Sequence, residues 1–110
     1  MPRGGTPEAA LRLLGLAARA GAIIPGTERV RLAARGRGLH FVLVAADAAA
    51  NAMDKLIPLL RARLIPYVVV ASRDELGLAV GRSPLSAVGV TDPRLASRLR
   101  ELLGGSERAE

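Results

Sequence analysis

Four arginines crowd one short stretch, Pro25-Gly26-Thr27-Glu28-Arg29-Val30-Arg31-Leu32-Ala33-Ala34-Arg35-Gly36-Arg37. The Pro-Gly turn followed by Thr27 reads as the start of a helix with Thr27 as its cap. A helix start presents unpaired backbone N–H groups and a partial positive charge, which together suit a phosphate. Arg29 falls in the first turn, and Arg31 and Arg35 stand four apart on one helix face. Arginine adds a permanent charge and a planar fork matched to phosphate or to a guanine edge. The chemistry on offer is therefore the holding of a nucleic-acid backbone. The plainer reading is a capped amphipathic helix with a solvated basic face.

A second candidate is the loop Gly81-Arg82-Ser83-Pro84-Leu85, where Arg82, Ser83, Pro84 and Leu85 offer a charge, a hydroxyl and an apolar tip for stacking on a splayed base. Its plainer reading is a simple connection with Leu85 packed down. A third is Asp47 with Asn51 at the end of a strand, better read as Asp47 capping the helix that follows. Ser72 and Glu75 fit a capping box better than catalysis. His40 is the single histidine and reads as a strand-edge residue, and Asp54 and Lys55 read as solvated. No cysteine, Walker lysine motif, dinucleotide glycine fingerprint or metal-ligand spacing is present. The expectation is a protein without catalytic residues, metal or cofactor.

At 110 residues the chain is expected to form one domain over residues 1–110, with an ordered core over about 6–104 and tails at 1–5 and 105–110. Half of it is hydrophobic but only 2% is aromatic, so the core must be aliphatic. The net charge is +6, and Lys55 is the lone lysine. Such a balance favours a nucleic-acid partner, with an arginine-biased composition as the alternative. No apolar run is long enough to span a membrane and no signal-peptide core is visible, so a cytoplasmic monomer is expected.

The elements that must position these residues alternate. Thr6-Pro7-Glu8 opens a helix whose apolar face includes Leu11, Leu13, Leu14 and Leu16, and Gly21 ends it. Residues 22–24 form a strand, and the arginine-rich helix follows, with Val30, Ala33 and Ala34 inward. Residues 40–45 read as a central strand. A helix over 51–63 contains Pro58, which should kink or split it. A strand over 66–71, a helix from Ser72 to Gly81, a strand over 86–90 and a helix opened by Thr91-Asp92-Pro93 and closed by Gly104-Gly105 complete the chain. This alternation predicts a three-layer α/β/α sandwich around a four-stranded mixed sheet.

The ordered set Leu14-Gly15-Leu16-Ala17, Arg19-Ala20-Gly21, Gly26-Thr27-Glu28, Val42-Leu43-Val44-Ala45-Ala46-Asp47-Ala48, Asn51, Glu75-Leu76-Gly77 and Ala87-Val88-Gly89-Val90-Thr91-Asp92 resembles the kink-turn-binding ribosomal proteins. That superfamily includes the archaeal L-seven-Ae and eukaryotic L-thirty-e proteins, and the resemblance is to its bacterial YlxQ-like branch. It implies an L-thirty-e-like sandwich and non-catalytic RNA binding. The implied grip is the turn and helix start at Gly26, Thr27, Glu28, Arg29, Arg31 and Arg35, flanked by the loop from Arg82 to Leu85. The family pattern there is Gly-Thr-Asn-Glu-x-x-Lys. Gly26 and Thr27 match it, while Glu28, Arg29 and Leu32 stand in place of Asn, Glu and Lys. Ala46 replaces the acid that usually precedes Asp47, and Arg82 makes the loop more polar than usual. A carboxylate accepts hydrogen bonds but donates none, so Glu28 implies altered base reading with phosphate contacts dominant. The implied partner is a structured, kink-turn or ribosomal RNA, with ribosomal or transcription-factor proteins as further partners. The alternative function is a protein-interaction accessory module of the translation or transcription machinery.

Overall fold

The computed structural model describes residues 7–103. The expected first cap Thr6, the expected last stop Gly104-Gly105 and both expected tails lie outside the described residues.

Helices and strands alternate: α1 (Pro7–Arg19), β1 (Ile23–Pro25), α2 (Thr27–Ala34), β2 (Phe41–Val44), α3 (Ala50–Ala62), β3 (Tyr67–Val69), α4 (Arg73–Ala79), β4 (Ala87–Val90) and α5 (Pro93–Leu102). The strands lie in the order β1-β4-β2-β3. β4 is antiparallel to both its neighbours, and β2 and β3 are parallel. The sheet is therefore mixed, and it is sandwiched as the alternation predicts.

Two aliphatic cores follow from the period of two along the strands. Phe41, Leu43 and Ala45 face Ala10, Leu14, Leu76, Ala96 and Leu99 of α1, α4 and α5. Val42 and Val44 face Val30 and Ala34 of α2 and Leu56 and Leu60 of α3. Both faces of β2 are thus buried, which explains its unbroken apolar run. Leu16 departs from the expected inward face of α1 and is 54% exposed.

Three helices end in the same way. After α1, α3 and α4 the chain takes a positive φ at Gly21, Leu64 and Gly81. In each, that residue's amide bonds three residues back and the next amide bonds five back: Gly21 to Ala18 and Ala22 to Ala17, Leu64 to Arg61 and Ile65 to Leu60, Gly81 to Leu78 and Arg82 to Gly77. This is the Schellman closure. At Leu64 it is made by a non-glycine residue.

Three expectations about helix ends need correction. Thr27 does not cap α2; it is the first helical residue, and the N-cap is Gly26, which has no side chain to offer. Asp47 does not cap α3, whose N-cap is Ala49. The turn over 46–49 carries Asp47 toward α4 instead. Pro58 does not split α3, which runs unbroken from Ala50 to Ala62. Pro58 lies on the exposed side, opposite buried Leu56 and Leu60, where solvent can replace the missing backbone donor. The Ser72–Glu75 capping box and the Asp92 cap are present as expected.

Candidate nucleic-acid interface

Strand directions gather the candidate segments at one end of the sheet. Pro25 pairs with Val88, and Val44 pairs with both Ala87 and Val69. β1, β2 and β3 therefore all finish where β4 begins. The starts of α2, α3 and α4 meet the loop that leads into β4.

Hydrogen bonds join these segments in sequence. The Gly26 amide donates to the Ala87 carbonyl at 2.9 Å, Ala45 to Ser86 at 2.8 Å and Ala46 to Ala71 at 2.8 Å. The Arg73 amide donates to Asp47 Oδ1 at 2.8 Å, and the Leu85 amide donates to the Arg73 carbonyl at 3.1 Å. Asp47 thus ties the end of β2 to the start of α4. Its 3.7 Å ion pair with the Arg73 guanidinium is half exposed and adds little.

Gly26 has φ 98° and ψ 145°, a conformation essentially closed to residues with a Cβ. Through it the chain leaves β1 and enters α2 directly. The first-turn amides of Thr27, Glu28 and Arg29 have no side-chain cap, whereas Ser72 and Asp92 fill this role in α4 and α5. Arg29 and Glu28 are exposed. Arg31 turns back on Glu28, with Nη1 3.0 and 3.1 Å from the two carboxylate oxygens. Its side chain is only 24% exposed, and its Nε is buried without a partner among the described residues. Arg31 therefore positions Glu28 as much as it presents charge.

The second segment lies along α4. The Arg82 and Leu85 amides bond the Gly77 and Arg73 carbonyls. Gly77 makes this approach possible: a Cβ there would overlap the Ser83 carbonyl and stand 2.9 Å from the Arg82 carbonyl oxygen. Arg82, Ser83 and Pro84 are exposed. Leu85 is half-buried against the core that contains Leu43 and Leu76, so the expected apolar tip is partly packed down.

The fold thus brings together Gly26, Thr27, Glu28, Arg29 and Arg31 with Arg82, Ser83, Pro84 and Leu85. It does not bring Arg35 to them. Arg35 closes the far end of α2, about 12 Å along the axis from Thr27 at 1.5 Å per residue. Asn51 is exposed in the first turn of α3, and the exposed Arg73 joins the same end. Sequence reasoning missed Arg73, because its link to Asp47 spans 26 residues and no local pattern encodes it. Among the described residues, no group of three or more His, Cys, Asp or Glu side chains could hold a metal. No described helix is long and apolar enough to cross a membrane.

Known proteins share this arrangement. Residues 8–100 match the model of the ribosomal protein L7Ae/L30e/S12e/Gadd45 family. The chain is 35% identical over 91 residues to the RNA-binding protein YlxQ of Bacillus subtilis (strain 168), covering 83% of this chain and 91% of that protein. It is 31% identical over 101 residues to the RNA-binding protein YlxQ of Enterococcus faecium, covering 92% and 97%. A solved protein of unknown function from Bacillus halodurans superposes with a TM-score of 0.82 at 34% identity, over 86% of this chain and 96% of that one. The Giardia lamblia 15.5kD RNA binding protein superposes with a TM-score of 0.72 at 25% identity, over 86% and 81%. The chain belongs to the ribosomal protein L7Ae/L30e/S12e/Gadd45 family, in its YlxQ-like branch.

Proposed function

We propose that this chain is a non-catalytic, cytoplasmic RNA-binding protein that holds a bent, structured RNA of the kink-turn or ribosomal kind. The observation that carries this reading is the juxtaposition of the Gly26 turn and the open first-turn amides of α2 with the loop 82–85, one hydrogen-bonded strand start away. Relatives that carry the name RNA-binding protein YlxQ match this chain along most of its length.

The chemistry divides by residue. The amides after Gly26, the Thr27 hydroxyl and the guanidinium groups of Arg29 and Arg82 face phosphate oxygens. Leu85, with Pro84, offers an apolar ledge to an unstacked base. Glu28, braced by Arg31, accepts hydrogen bonds from base amino groups and donates none. Recognition therefore leans on the backbone and on RNA shape, and base reading differs from that of a grip with Asn at this position.

Electrophoretic mobility shift with a kink-turn RNA and a matched straight duplex tests this. Arg29→Ala/Arg82→Ala should weaken kink-turn binding by about tenfold or more, the equivalent of one charge-assisted hydrogen bond. Equal binding by this variant and the parent would overturn the assignment of the grip. RNA binding absent at low salt, with a protein captured at high salt, would instead support an accessory interaction module.

A further inference from the structure

The charges are polarised along the strands. Beyond the grip, at the opposite end of the sheet, lie the last turns of α2 and α3 and the connections that follow them. α2 and α3 pack side by side, with Ala34 and Leu60 in one core cluster, so the two C-terminal ends are neighbours. Arg35 and Arg37 leave the first helix, and Arg61 and Arg63 close the second. All four are exposed. The connections at 35–40 and 61–66 contain no aspartate or glutamate. Arg35, Arg37 and Arg63 have no ion pair or side-chain hydrogen bond with a described residue, and Arg61 Nε donates only to the Tyr67 hydroxyl at 3.2 Å. At the grip end the balance differs. There Glu28, Asp47, Asp74 and Glu75 accompany Arg29, Arg31, Arg73 and Arg82.

We infer that Arg35, Arg37, Arg61 and Arg63 form a second RNA-binding surface that takes the phosphodiester backbone of a helical RNA segment distinct from the one in the grip. Guanidinium groups without acidic neighbours retain their full attraction for phosphate. The grip end has partners for much of its positive charge and contributes less to long-range attraction. The surface carries no base-reading groups, so it holds RNA without regard to sequence. A protein so built bridges two RNA segments, one at each end of the sheet. The competing account is that these cations only complement the negative ends of α2 and α3. It predicts lost stability and unchanged affinity, so the two accounts separate in one experiment.

The probe is a straight, fluorescently labelled RNA duplex, titrated across a salt series with the full chain. Arg35→Gln/Arg37→Gln/Arg61→Gln/Arg63→Gln should lose at least tenfold in duplex affinity. The slope of log affinity against log salt should become shallower by about three, at roughly 0.9 per phosphate released from contact. Arg29→Ala/Arg82→Ala should leave duplex binding within about twofold, so failure of the grip and failure of this surface are read separately. The matching Arg→Lys quadruple variant should retain duplex binding within about threefold, because charge is conserved. With RNA in excess, the parent chain should form an RNA–protein–RNA species that either variant set abolishes. If the glutamine quadruple variant fails to melt cooperatively, Arg37→Gln and Arg63→Gln are read singly, each lowering the slope by about one. Unchanged duplex affinity and slope in the well-folded variants overturn the inference, as does loss of melting temperature without loss of binding.

Discussion

A methyl group at residue 77 would overlap the Ser83 carbonyl, and neither partner is a flexible side-chain tip. Gly77→Ala must push the loop 82–85 off α4 or distort the helix. The cost should be about 1–3 kcal/mol in urea unfolding, as for other overpacked sites, and RNA affinity should fall with it. Glu28→Asn makes the opposite kind of change. It adds a donor at the surface without touching the core, so stability should stay within about 0.5 kcal/mol. The ratio of kink-turn to straight-duplex affinity should rise several-fold. At this scale the sequence was partly legible. The Pro25-Gly26 turn announced itself, because few residues tolerate the backbone it needs. Asp47 did not. Its partner, the Arg73 amide, lies 26 residues away, and the local pattern pointed to a nearer helix start.

Helix ends carry the next set of expectations. Ser72 accepts from the Glu75 amide at 3.1 Å while Glu75 returns a bond to the Ser72 amide at 2.8 Å. Ser72→Ala should therefore cost about 1 kcal/mol. Thr27→Ala should cost less than about 0.5 kcal/mol, because the Thr27 side chain caps nothing. Thermal melts of the two variants check the contrast. Leu64 holds φ 58° in the closure after α3 and is 72% exposed, so it carries strain without burying a side chain. Leu64→Gly should raise stability by about 0.5–1 kcal/mol, the relieved left-handed strain less the added freedom of the unfolded chain. Element types and order were readable because Pro-Gly, the capping box and Asp-Pro mark their ends chemically. What could not be read was whether Pro58 would break α3. That depends on which side of the helix meets solvent, and packing decides it.

Over the whole molecule, the alternation of periods specified a mixed sheet between two helical layers, and the two cores obey it. The convergence of β1, β2 and β3 on the start of β4 was not legible, because strand order is a property of pairing between distant segments. That order also parts Arg35 from Arg29, although a helical wheel sets Arg35 beside Arg31. Net charge, by contrast, could be read from composition alone. If RNA binding rests on phosphate contacts, affinity for a structured RNA should fall by one to several orders of magnitude between 50 and 200 mM salt, at roughly 0.9 logarithmic units per phosphate contact. A filter-binding series checks this.

The loop 82–85 has a thermodynamic consequence. Two of its amides are already bonded to α4, and Gly77 lets its backbone lie in contact with the helix. Such a segment meets its ligand in the shape it will keep. Little conformational entropy remains to be lost on association, so binding energy is not spent on ordering. Amide hydrogen exchange at Arg82 and Leu85 should already be slow in the unbound protein and change little when RNA is added. The loop would then act as a fixed template on which the RNA, not the protein, does the bending.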